Sequence, residues 1–140
     1  VVADSTAQFA LSEVRVGLVA GAGGLIRLPR TVPPKVATEM ILTARRLSAD
    51  EALAYGLVNR VVPAGTALDG ARALAAEILE GSPTSVRVSL RIMEETRGIP
   101  DVVAAVEHPS TALDDLMASD DALEGVTAFA EKRPPHWRNR

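Results

Sequence analysis

"QFALSEVRVGLVAGAGGLIRLPR", residues 8–30, carries most of what the chain says about its fold and its chemistry. Residues 7–11 alternate loosely in the manner of a strand, and a single carboxylate, Glu13, follows. The segment "GLVAGAGG" cannot be regular helix, because each interior glycine gives up more backbone freedom than any other residue. The spacing therefore predicts strand, loop and then the start of a helix. Two readings of Glu13 stand side by side. It is a carboxylate aimed at a ligand beside a ring of backbone amides, or a solvated surface charge ahead of an ordinary turn. Phe9, Leu11, Val14 and Val16 around it favour the first reading, because apolar surroundings raise a carboxyl pKa into the range useful for proton transfer. Gly21-Ala22-Gly23-Gly24 lets amides approach a ligand closely, but its spacing is not that of a dinucleotide fingerprint and no P-loop lysine follows.

Outward from this stretch, the local signals are mostly helical. Ser48-Ala49-Asp50-Glu51 forms a capping box, and Gly56 supplies a left-handed stop. "LVNRVVP", residues 57–63, is β-branched and closed by proline, so it reads as a strand. Apolar residues recur at helical spacing from Ala67 to Glu80, and Gly81 ends the run. Ser82-Pro83 starts the next helix, with Val86, Leu90 and Met93 expected on its buried face and Gly98-Ile99-Pro100 at its end. A helix beginning at Asp101 must kink or break at Pro109, whose ring removes a hydrogen bond and clashes with the preceding turn. A last helix is expected from about Asp121 to Lys132. The fold class is α/β, with a strand-and-loop opening and a helical C-terminal half.

Composition narrows the function classes. The chain has 140 residues, 47% of them hydrophobic, and a net charge of −3, which suits a globular domain or a large piece of one. It contains no cysteine, which rules out a disulfide framework, a thiolate metal site and a cysteine nucleophile, and which fits a reducing cytoplasm. No signal peptide is visible, and no apolar run approaches the roughly 18 residues of a spanning helix, so no membrane partner is expected. Lys132, Arg133, Arg138 and Arg140 give a basic end suited to a phosphate but too small for nucleic acid. His108 and His136 are far apart and lack ligand spacing, so no metal is expected. Ser5, Thr6 and Ser12 have no histidine base nearby and read as caps or turns. Asp114-Asp115 and Asp120-Asp121 read as solvated helix faces or N-caps; taken alone, Phe129 reads as core and Lys132 as surface.

Three stretches together resemble the enoyl-CoA hydratase/isomerase (crotonase) superfamily. "AQFALSEVRVGLVAGAGGLIRLPR" (7–30) is similar to the family's Phe-x-x-Pro-Glu-x-x-x-Gly-x-x-Pro-Gly-x-Gly-Gly pattern. "MILTARRLSADEALAYGLVNRVVP" (40–63) and "SDDALEGVTAFAEKRPPHW" (119–137) match two further family segments, in the family's order. Ser12 and Ala20 stand where prolines are common, Ala44 where glycine is usual, and Pro109 interrupts a helix that is generally continuous.

The resemblance implies a spiral of ββα turns capped by a helical region, of which this chain corresponds to the C-terminal half. Residues 1–65 would belong to the spiral core and 66–140 to the helical region that caps CoA and forms trimers or hexamers. It further implies hydration of a 2-enoyl-CoA thioester in fatty-acid or related acyl metabolism, or isomerisation of its double bond. The substrate would be a CoA thioester, and no separate cofactor is needed. Glu13 falls on the second of two catalytic glutamates, and Gly21 on a glycine whose amide helps hold the water. Phe129 and Lys132 fall where a C-terminal helix meets the nucleotide end of CoA. The first glutamate and both amides of the oxyanion hole belong to the family's N-terminal half. The expectation is therefore a chain inactive by itself and completed by an N-terminal half, whether encoded separately or missing from this sequence, or else a non-catalytic assembly remnant.

Overall fold

Why does a chain with so few strand signals hold a sheet at all? In the computed structural model, which describes Val1–Arg140, the strands are short and pair in twos. β1 (Val2–Asp4) runs parallel to β4 (Arg60–Val62), with Ala3 opposite Val61. β2 (Gln8–Phe9) runs antiparallel to β3 (Leu47–Ser48). Helices fill the intervals: α1 (Gly24–Arg27), α2 (Pro34–Thr43), α3 (Ala49–Ala54) and α4 (Ala67–Leu79). They continue with α5 (Pro83–Thr96), α6 (Val102–Val106), α7 (Ala112–Met117) and α8 (Asp120–Glu131). The class is mixed α/β with an all-helical C-terminal part, as expected. No helix is long and apolar enough to cross a membrane.

The chain divides into two compact units, Val1–Leu74 and Ala75–Arg140. The first contains an apolar core in which Leu28, Val32, Ala37, Met40 and Leu47 pack together, with Phe9 and Leu11 against them. The capping box places this core's next segment: the Ser48 hydroxyl accepts from the Glu51 amide at 3.2 Å, and Glu51 accepts from the Ser48 amide at 2.9 Å. A smaller cluster of Ala3, Ala52 and Val58 sits under β1 and β4.

The second unit departs from the expected packing. Val88 and Thr84, one turn apart, form the buried face of α5, while Leu90 and Met93 are 61% and 64% exposed. The helix carries two apolar stripes, and periodicity alone does not say which of them meets a neighbour. Pro109 breaks the helix outright: α6 ends at Val106 and α7 starts at Ala112.

Candidate active site

Glu13 opens a single 3₁₀ turn, Glu13–Val16, closed by Gly17 in the left-handed region at φ 75°. The Arg15 guanidinium anchors it by donating to the Thr43 carbonyl at 2.7 Å, at the end of α2. Glu13 is half-buried, and its Oε2 is fully enclosed without a hydrogen-bond partner. Buried polar atoms are nearly always satisfied, so an unmet carboxylate oxygen marks a place where a proton, water or ligand group is expected. It borders a pocket of about 160 Å³ whose other walls are apolar, among them Leu11, Val14, Leu25 and Ile41.

Leu11 also lines a second cavity, of about 450 Å³, with Phe9, Leu28 and Met40 on its apolar side and Gln8 and Arg27 supplying polar groups. Ala22, Gly23 and Gly24 line this second cavity and not the Glu13 pocket. Gly24 is dictated by packing: a Cβ there would stand 2.8 Å from the Ala20 Cβ and 3.0 Å from a Leu11 methyl. Gly23 holds φ at 106°, which only glycine adopts readily, and starts the four-residue α1. Gly21 is exposed and borders neither cavity; its amide donates to the Val19 carbonyl at 2.7 Å, closing a three-residue turn. Glu13 and Gly21 thus share one loop, but the Gly21 amide already has a partner.

Phe129 and Lys132 lie at the far end of α8, in the second unit. Phe129 is 87% exposed, which overturns its reading as a core residue: on α8 it is Ala128 that points inward. Lys132 caps the helix in the left-handed conformation, φ 53°, and is exposed as expected. At the opposite end of α8 stands a cluster that composition did not reveal. The Asp121 side chain, expected on a solvated helix face or as an N-cap, is 1% exposed, and the cap is Ser119. Its carboxylate accepts from the Arg138 amide at 2.7 Å, the Asn139 amide at 3.0 Å and the Ser82 hydroxyl at 3.0 Å. Burial pushes the Asp121 carboxyl up, but the hydrogen bonds from Arg138, Thr84, Asn139 and Ser82 outweigh it and hold the pKa at about 2. Glu124 is likewise held at about 2, first by the Arg133 guanidinium and then by the His136 amide. No three His, Asp or Glu side chains stand close enough together to bind a metal ion.

A half-buried, unmet carboxylate at the edge of an apolar pocket suits proton chemistry on an apolar substrate. Comparison with known proteins gives that geometry a family. The family model for enoyl-CoA hydratase/isomerase matches residues 1–140, and the chain belongs to that family. A carnitinyl-CoA dehydratase of Salmonella paratyphi A is 40% identical over 143 residues, covering 100% of this chain and 55% of the relative. An enoyl-CoA hydratase from Mycobacterium marinum superposes with a TM-score of 0.90 at 43% identity, over 99% of this chain and 55% of that one. One from Bacillus anthracis gives 0.90 at 34% identity, over 99% and 54%. The chain spans about 55% of the length of the curated relatives it matches.

Proposed function

We propose that residues 1–140 supply one wall of an acyl-CoA site that hydrates a 2-enoyl-CoA thioester. The observation that carries this reading is the enclosed, unpartnered Oε2 of Glu13 at the edge of an apolar pocket. In hydration, a carboxylate takes a proton from water as the oxygen bonds to the β-carbon, and a proton is delivered to the α-carbon. Glu13 is one of the two carboxylates that manage those protons. Gly21 orients the water once its amide swings from the Val19 carbonyl toward the pocket, and Phe129 and Lys132 receive the nucleotide end of CoA. The addition is redox-neutral, so the CoA thioester is substrate and no cofactor is consumed. The absence of cysteine supports a reducing, CoA-containing cytoplasm as the compartment in this reading.

The reading draws a second carboxylate and two oxyanion-hole amides from polypeptide outside residues 1–140, attached or separate. General acid–base help contributes about 10² to 10⁴ in rate, and one oxyanion donor about 10² to 10³. Residues 1–140 alone are therefore expected to be silent. A second reading, a trimer- or hexamer-forming assembly module without catalysis, draws support from Leu123, Val126 and Met117, each more than 70% exposed.

Loss of enoyl-thioester absorbance with crotonyl-CoA tests the proposal, for the chain alone and mixed with a family N-terminal half. The expected result is turnover only in the mixture, reduced about 10²-fold or more by Glu13→Gln. Full turnover by the Glu13→Gln mixture removes Glu13 from the chemistry. Silence from folded, associated protein leaves the assembly reading. A double-bond shift in place of hydration makes the site an isomerase.

A further inference from the structure

Residues 133–140 form no helix or strand, yet they are tied down along their whole length. The chain turns back at Lys132, and the Arg133 amide returns to the Ala128 carbonyl at 3.1 Å. The Arg133 guanidinium then meets Glu124 at 2.6 Å, and the His136 amide donates to the same carboxylate at 2.7 Å. The Trp137 indole donates to the Glu80 carbonyl at 2.9 Å, and its ring packs on Gly125. Finally the Arg138 and Asn139 amides reach Asp121, and the Asp120 amide donates to the Arg140 carbonyl at 2.8 Å. The segment is a strap running back along α8 from its last turn to its first.

Asp121 is where the strap is locked. One buried carboxylate joins the first turn of α8, the end of the strap and the start of α5, where Ser82 caps the helix by accepting from the Ser85 amide at 3.1 Å. We infer that Asp121 is a positioning residue: by locking the strap it holds Phe129 and Lys132 in the orientation that receives the nucleotide end of CoA. The inference rests on the function proposed above. Asp121 lies about 16 Å along the helix from Lys132, too far to touch a ligand there. It acts through the backbone. Lys132 sits in a left-handed conformation that a side chain with a Cβ resists, held by the bonds of its own and the Arg133 amide to the Phe129 and Ala128 carbonyls and by the anchored strap beyond. With Asp121 neutralised, the Arg138 and Asn139 amides lose their charged acceptor and the strap is free to lift.

Trp137 is the single tryptophan, so its emission reports the strap directly. The 140-residue chain, Asp121→Asn, Lys132→Ala and the double variant are each titrated with coenzyme A by calorimetry. Asp121→Asn is expected to shift Trp137 emission to the red and to weaken coenzyme A binding about tenfold, the worth of one charge-assisted contact. Adding Lys132→Ala to it should cost nothing more, because the lysine is already misplaced. Unchanged affinity in Asp121→Asn, or additive losses in the double variant, overturns the inference while a loss at Lys132→Ala keeps the functional reading standing. Equal binding by the parent chain and Lys132→Ala overturns that reading and the inference with it. If Asp121→Asn does not fold, a chain ended at Pro135 removes the lock without substituting any residue of α8, and its coenzyme A affinity, alone and with Lys132→Ala, decides by the same criteria.

Discussion

The two compact units are held by opposite means. In Val1–Leu74 the buried residues are apolar throughout, ten of them from Ala3 to Val58. In Ala75–Arg140 the buried residues are three apolar side chains, Val88, Ala112 and Ala128, and three polar ones, Ser82, Thr84 and Asp121. The first unit resembles an ordinary hydrophobic core. The second is locked by carboxylates, caps and a C-terminal strap, while Val102, Val106, Met117 and Leu123 face outward. Hydrophobic burial is non-directional and tolerates small shifts, whereas a buried carboxylate demands its donors in place. If, as proposed, this region presents Phe129 and Lys132 to a ligand, it gains from the second kind of restraint. The outward apolar side chains are what an assembly surface supplies.

The comparison breaks most severely at Met40. Met40 is 1% exposed at the centre of the first unit's core, and Met40→Ala is expected to cost about 2–5 kcal/mol, the range for buried methionine truncation. Urea unfolding followed by circular dichroism measures it. A loss below 1 kcal/mol, on the order of a surface change, would mean that the first unit does not depend on that core.

Acid probes the second unit. The pKa values of Asp121 and Glu124 are depressed to about 2 from ordinary values of 3.8 and 4.5. A depressed carboxyl stabilises the fold fully above its unfolded pKa, and that contribution is lost as pH falls through the folded value. The second unit should therefore weaken progressively between pH 4.5 and about 2. Trp137 emission should change over that window before the amide exchange of Ala37 and Met40 does. Emission that stays constant as pH falls through 2 and beyond, once both carboxylates are protonated, would show that they do not lock the strap.

The contrast also explains what the sequence could and could not reveal. The Ser48 capping box, the Ser82-Pro83 start and the break at Pro109 were legible because each is settled within a few residues. The setting of Glu13 was legible only in part: of the neighbours expected around it, Leu11 and Val14 line its pocket, whereas Val16 is 72% exposed and Phe9 lines the other cavity. The pairing of β1 with β4 was not, because it joins Val2 to Arg60 and depends on everything folded between them. The burial of Asp121 was hidden more deeply. Two of its donors are backbone amides, at Arg138 and Asn139, and every residue has one. An aspartate in the first turn of a helix looks like any other dipole-favoured acid until the strap returns to it. Phe129 misled in the opposite sense, because an aromatic residue on a helix is usually core and here faces outward.

The finest test uses a feature the two units share. Each contains a helix that ends on a left-handed residue other than glycine: Ala44 after α2, at φ 55°, and Lys132 after α8, at φ 53°. A Cβ in that conformation costs about 1–2 kcal/mol, and glycine relieves it while giving back part of the gain as chain entropy in the unfolded state. Ala44→Gly and Lys132→Gly should each stabilise the protein by about 0.5–1 kcal/mol, read from the denaturation midpoint. The two are expected to separate on binding. Ala44→Gly should leave coenzyme A affinity unchanged, since Ala44 caps a helix of the first unit and has no polar side chain to offer. Lys132→Gly should weaken it as much as Lys132→Ala does. Strain kept at Lys132 against a more stable alternative is what a functional position exhibits. Should Lys132→Gly bind coenzyme A as the parent does, the strain at Lys132 is no more than that at Ala44, a helix end without glycine.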